Sequence, residues 1–172
     1  MNYRNLLPTI ALASLAFASV AQADPIAQSG VKGAGVAKNA AGQGAEIKVK
    51  LGNFVNKNNK TAVFGELSFE TANKAEKTVS SLVVSPLNNK LPVAGKLTVA
   101  GNVATLEAKG TLRVRSKGQT LKVDGKVNLT VTDNGKTGDT FTISFTAGKE
   151  TRTFSGTLAK GNLVVFTSAP NP

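Results

Sequence analysis

The chain has no cysteine, no histidine and no tryptophan, and aromatic residues fill only 5% of its 172 positions. Without cysteine there is no disulfide framework, no thiol nucleophile and no thiolate metal site. Without histidine, imidazole ligands and the Ser-His and Cys-His catalytic pairs are excluded as well. Negative charge is also scarce: 10 Asp and Glu stand against 21 Lys and Arg, a formal net charge of +11. The net charge is expected to stay almost flat from about pH 5.5 to 9 on ordinary side-chain pKa values. The remaining catalytic option is a carboxylate pair, but Glu46, Glu66, Glu70, Glu76 and Glu150 fall at scattered polar positions with nothing to pair them. No phosphate-binding glycine loop stands in for them. The expectation is a protein that is not an enzyme and uses no cofactor.

What is present begins with an address. Arg4 supplies a positive start, Leu6 to Val20 is a mostly apolar run, and Ala21-Gln22-Ala23 is a small-x-small cleavage site followed by Asp24 and Pro25. Residues 1–23 therefore read as a secretory signal peptide. The apolar run is shorter than the ~20 residues a spanning helix needs, so a membrane anchor is not expected. Cleavage would remove the only Met and the only Tyr, leaving Phe as the sole aromatic residue type. The expected location is extracellular or periplasmic.

Residues 24–44 (DPIAQSGVKGAGVAKNAAGQG) are dominated by Gly, Ala and Ser without sustained alternation. They read as a flexible segment, or alternatively as a poorly formed first strand around Val31 to Val36. From Ala45 the apolar period becomes two. Ile47, Val49 and Leu51 alternate with Glu46, Lys48 and Lys50; Leu121, Val123, Val127, Leu129 and Val131 share one parity, as do Phe141, Ile143 and Phe145. Turn signals fall at Gly101-Asn102, Lys117-Gly118, Asn134-Gly135, Gly148 and Gly161-Asn162. The reading is one all-β domain over residues 45–168: an antiparallel meander of about eight or nine strands, closing as a β-sandwich or a small barrel. An outer-membrane barrel is not expected, because the aromatic girdles it needs are missing.

Within residues 101–166, Gly101-Asn102, Ala104-Thr105-Leu106, Gly110-Thr111, the strand from Leu129 to Asp133, Asn134-Gly135, Gly138-Asp139, Phe141, Ile143, Gly156, Leu158 and Gly161-Asn162-Leu163 form a recurring pattern. This pattern resembles the post-COAP-1 type domain of secreted bacterial proteins. Leu121 departs from it, standing where an aromatic residue is expected. The resemblance implies an all-β extracellular module found beside other surface domains. It implies no catalytic activity and carries over no functional residue.

Two groups of residues have ligand character. Asp133, Asn134 and Asp139 crowd one short loop and could offer oxygens to Ca²⁺; the alternative is a hairpin turn whose Asp side chains accept backbone N–H groups, and Lys136 within it opposes a cation. The second group is basic: Lys48 and Lys50, with Lys57 and Lys60 beyond them, then Lys109, Arg113, Arg115 and Lys117, then Lys122 and Lys126. Arg113 and Arg115 share parity and project from one strand face. If strands 109–117 and 119–126 are neighbours, these charges merge into a patch for an anionic polymer, either an acidic polysaccharide or a phosphate-bearing chain. Nucleic acid is not expected, for want of stacking aromatics. Two roles follow: a structural or adhesion-like contact module of the cell envelope, or a soluble binding protein for that polymer. Alternatively the lysines only solvate the surface and blunt strand edges.

Overall fold

The computed structural model describes residues 28–55, 60–73, 77–86, 91–135 and 138–168, so the expected signal peptide, Lys57, Glu76 and Lys136 lie outside the described residues. Within that part, each run of period-two alternation is a strand. In chain order they are β1 (Ser29–Lys38), β2 (Gly44–Val55), β3 (Thr61–Asn73), β4 (Thr78–Val84), β5 (Gly95–Ala100), β6 (Val103–Ser116), β7 (Gln119–Thr132), β8 (Thr140–Ala147) and β9 (Glu150–Thr167). All form one antiparallel sheet in the order β4-β3-β2-β1-β9-β8-β7-β6-β5. A further pairing of β4 with β6, from Thr78↔Ser116 to Val83↔Thr111, closes eight of them into a ring. Of the two architectures left open by the sequence, the chain forms the barrel. Closure satisfies the backbone groups that the outer strands of an open sheet would expose.

Of the two readings of residues 24–44, the flexible segment is corrected and the alternative, a first strand around Val31 to Val36, is found, longer than expected, as Ser29–Lys38. β1 is a wall strand held on both sides, pairing with β2 from Ser29↔Asn53 to Lys38↔Gly44 and with β9 from Ser29↔Thr167 to Lys38↔Thr157. Its composition hides this because the inward positions are Val31, Gly33, Gly35 and Ala37, two of them lacking a side chain. Gly33 has a φ of 140°, and a Cβ there would run into the carbonyl of Asn162 on β9. Small residues are thus required where β9 approaches, and the strand loses the apolar alternation that usually announces one.

The strand ends at residues 38 and 44, 73 and 78, 116 and 119, and 147 and 150 lie at one end of the barrel, called here the mouth. The other end is covered. β5 pairs with the first half of β6, from Gly95↔Ala108 to Ala100↔Val103, and the residues before it turn inward. Val93 is buried and its amide donates to the Val63 carbonyl at 2.7 Å. The Asn53 side-chain amide donates to Leu97 O at 3.0 Å and to Ser29 Oγ at 3.1 Å, tying β5 to the wall.

Inward side chains fill the space between. Ile47, Val49, Leu67, Leu106, Val127, Leu129 and Leu163 are almost completely buried, and Phe69, Phe141 and Phe154 form an aromatic cluster with ring centroids 5.3 to 6.1 Å apart. The interior is a packed core and not a channel. Its large rings fit because the wall is thinned opposite them: a Cβ on Gly125 of β7 would lie 2.7 Å from Cζ of Phe145. Gly125 is the residue that interrupts the apolar face of the longest alternating run, and the ring of Phe145 occupies the space its side chain would take.

Candidate functional site

Three features of the outer surface and loops bear on function. The first is the loop between β7 and β8. β9 is longer than β8, which pairs with it only from Glu150 to Thr157. Beyond that point the β9 edge that faced β8 needs acceptors, and the loop provides them. Leu158 donates to the Asp139 carbonyl at 2.8 Å. Leu163 N donates to Asp139 Oδ2 at 2.7 Å, and Val165 N to Asp133 Oδ2 at 3.0 Å. The other carboxylate oxygens also accept amides: Asn134 N to Asp139 Oδ1 at 2.9 Å and Gly135 N to Asp133 Oδ1 at 2.9 Å. Asp139 is the one buried acidic side chain among the described residues.

Asp133, Asn134 and Asp139, read from the sequence as a possible calcium loop, are therefore an edge cap. The structure brings the three together, yet each carboxylate oxygen faces an N–H, and a cation placed there would meet the positive ends of those dipoles. No group of three or more potential metal-ligating side chains occurs among the described residues.

The second feature is the outer wall of β6 and β7. Their register places Lys109 opposite Lys126, Arg113 opposite Lys122 and Arg115 opposite Thr120, all pointing outward. Five of the candidate cations thus share one continuous face, and Lys117 sits at its tip in the hairpin turn, with a φ of 48°. Two carboxylates lie within the patch. Glu107 pairs with Lys126 at 3.2 Å, both more than half exposed, and Asp124 Oδ1 accepts from Thr111 Oγ1 at 2.6 Å. An exposed ion pair of this kind contributes little stability, so Lys126 is held loosely. β7 pairs with β8 only from Lys126 onward, so residues 119–125 form a ribbon edge carrying Lys122. Lys48 and Lys50 are not part of this patch. They lie on β2, four strands from β7 whichever way round the ring one counts, and Lys50 is opposite Glu66 of β3.

The wall continues as hydroxyls. Thr98, Thr105, Thr130, Thr142 and Ser155 are successive cross-strand partners, giving an unbroken outward row over β5, β6, β7, β8 and β9. Parallel rows run Asn128, Ser144, Thr153 and Lys126, Thr146, Thr151. Thr142 and Ser155 are hydrogen-bonded at 2.9 Å, as are Thr146 and Thr151. Neighbouring groups in a row are spaced by the ~4.8 Å between strands. On β6, β7 and β8 no outward residue of this wall is aromatic; on β9 Phe166 points outward, its ring centroid 5.6 Å from Lys32 Nζ of β1.

The third feature is the mouth, a cavity of about 210 Å³. Its floor is Phe69, Leu82, Leu112, Ile143, Phe145 and Phe154, and Arg152 stands on its rim. Arg152 was missed by sequence reading. It sits in a stretch of exposed threonines and looks like one more surface charge. Counting parity back from Phe154 would have turned it inward, opposite Phe145.

No protein-family model matches the chain, and no curated protein or solved structure does.

Proposed function

We propose that the chain is a secreted, non-catalytic β-barrel that binds an acidic polysaccharide along the outer wall of β6 to β9. The observation that carries this is the register of β6 on β7, which sets Lys109, Arg113, Arg115, Lys122 and Lys126 side by side. Cations on one rigid face attract a polyanion together, where the same number scattered would only raise solubility. The adjoining rows of Thr, Ser and Asn favour a polymer that is hydroxylated as well as charged: carboxylates or sulfates meet the β6–β7 cations, and sugar hydroxyls meet the β8–β9 side. A phosphodiester chain with bases to stack would find no aromatic platform beside the β6–β7 cations, the one outward ring of the wall, Phe166, lying at its β9 margin. The signal-like residues 1–23 and the resemblance of residues 101–166 to the post-COAP-1 type domain support a role outside the cytoplasm, and an envelope contact module would use the same wall.

The test is retention of residues 24–172 on immobilised alginate, dextran sulfate and neutral dextran. Retention on the acidic polymers should be clear at low salt and should weaken sharply near physiological ionic strength, where the Debye length falls to about 8 Å. Neutral dextran should not retain the protein. Equal passage over all three matrices at low salt would overturn the proposal.

A further inference from the structure

We propose that the barrel mouth is a second, separate binding site, for a small carboxylate with an apolar body. Three observations converge on it. The far end of the barrel is closed by Val93 and Leu97 on β5 and its approach, both buried, so the mouth is where the interior meets solvent. The floor is apolar and firm: Phe154 packs on Phe69 and Phe141 with centroids 5.3 and 5.7 Å apart, leaving a recess and not a collapsible gap. Among the residues lining the recess one is a cation, Arg152, which makes no hydrogen bond or ion pair among the described residues.

Size sets the class of ligand. At the ~30 Å³ a water occupies in the liquid, 210 Å³ has room for about seven waters, hence for an apolar body of similar atom count. A smaller recess of about 100 Å³ adjoins it, sharing Leu112, Phe145 and Arg152 and reaching Leu121 and Val123 on the β6–β7 hairpin, with Glu150 on its outer side. Leu121 is 62% exposed, a large apolar side chain beside an apolar opening. It would gain cover from a ligand seated in the mouth.

Chemistry sets the orientation. An apolar group displaces loosely held water from the Phe69, Ile143 and Phe154 floor, while a carboxylate at the rim takes the two parallel N–H donors of a guanidinium. Gln43 and Thr78 on the rim provide further polar contacts. An aryl-alkyl monocarboxylate fits both demands. A polymer does not, because the recess is blind. This site is therefore independent of the outer wall.

The probe is 3-phenylpropionate, with 3-phenylpropan-1-ol as its uncharged counterpart, titrated into residues 24–172 with methyl-labelled Leu, Ile and Val followed by NMR. Shifts are expected at Ile143, Leu82, Leu112 and Leu121, and not at Val63 or Val93 at the covered end. The acid should bind about tenfold more tightly than the alcohol, the order of one charge-assisted bidentate contact. Arg152→Gln should remove that tenfold advantage and leave the alcohol unchanged, with an otherwise native spectrum showing that the barrel is intact. A second variant, Arg152→Lys, keeps the charge without the fork and should retain part of it. Absence of mouth shifts at millimolar acid, equal binding of acid and alcohol, or an Arg152→Gln variant that still prefers the acid would each overturn the proposal.

Discussion

Asp139 Oδ2 accepts a hydrogen bond from the backbone amide of Leu163, 24 residues further along the chain, at 2.7 Å. A side chain from the β7–β8 loop thus takes the place that a carbonyl of β8 would occupy if β8 were as long as β9. Val165 receives the same service from Asp133. The loop is in turn tied to the β5–β6 turn, with Asp133 N donating to Asn102 O and the Asn102 side chain donating to Asp133 O. Two carboxylates thereby complete the hydrogen bonding of a long strand without an additional strand.

Asp139→Asn should destabilise the fold by about 3 kcal/mol, since an amide can accept from only one of Asn134 and Leu163 and turns its NH₂ against the other donor. Asp133 is less buried, and Asp133→Asn should cost about 1 kcal/mol. Asp124→Asn, on an exposed carboxylate whose one hydrogen bond among the described residues is from Thr111, should stay within about 0.5 kcal/mol of wild type. Urea melts of the three variants measure this. An Asp139→Asn midpoint equal to that of Asp124→Asn would show that the cap contributes nothing.

The same geometry makes calcium a sharp test. A weak extracellular calcium site has a Kd near 1 mM, and saturating such a site tenfold would stabilise the native state by about 1.4 kcal/mol. That corresponds to a rise of several degrees in Tm for a domain of this size. With each carboxylate oxygen already accepting an amide, calcium at that level and excess chelator should give the same Tm within a degree. A calcium-specific rise that magnesium does not reproduce, and that Asp139→Asn abolishes, would restore the metal reading.

The fold was legible in the sequence where the core is built from large side chains on alternate residues. β2, β7 and β8 follow directly from Ile47, Val49 and Leu51, from Val127, Leu129 and Val131, and from Phe141, Ile143 and Phe145. β1 showed only as the weaker of two readings because its inward face carries Gly33 and Gly35, glycines placed to admit β9, and glycine leaves no periodic signal. Barrel closure was hidden: it depends on β4 meeting β6 across the β5 excursion, a long-range pairing that no local pattern encodes. The basic face of β6–β7 was legible from parity and a short turn. Its separation from Lys48 and Lys50 was not, because ring position depends on closure.

The role of β1 predicts how the chain tolerates shortening. Residues 24–172 should fold cooperatively, because they retain the amide of Gln28 bonded to Asn53 O and the full β1 ladder. Residues 44–172 lack β1 and would leave β2 and β9 with two long unpaired edges, an invitation to intermolecular pairing. They should lose the cooperative thermal transition in circular dichroism and elute as aggregate on size exclusion. A monomeric 44–172 with an unchanged melt would return residues 29–43 to the status of a linker.

The outer-wall proposal stands or falls on position as much as on charge. Arg113→Glu, Arg115→Glu and Lys122→Glu together change the net charge by six units and are all exposed, so stability should move by less than about 1 kcal/mol. Lys126 is left intact to avoid setting a new carboxylate against Glu107, its partner at 3.2 Å. Lys32→Glu, Lys48→Glu and Lys50→Glu make the same charge change on β1 and β2, three and four strands away from β7. If the polymer is bound by the long-range field of a cationic protein, the two triple variants should lose retention equally. If it is bound on β6–β7, the first variant should elute from alginate at markedly lower salt than the second. Its salt dependence should also be shallower, since fewer counterions are released per bound molecule. Equal elution of the two would remove the β6–β7 wall as a site and leave its charge as protection of the exposed β7 edge at residues 119–125.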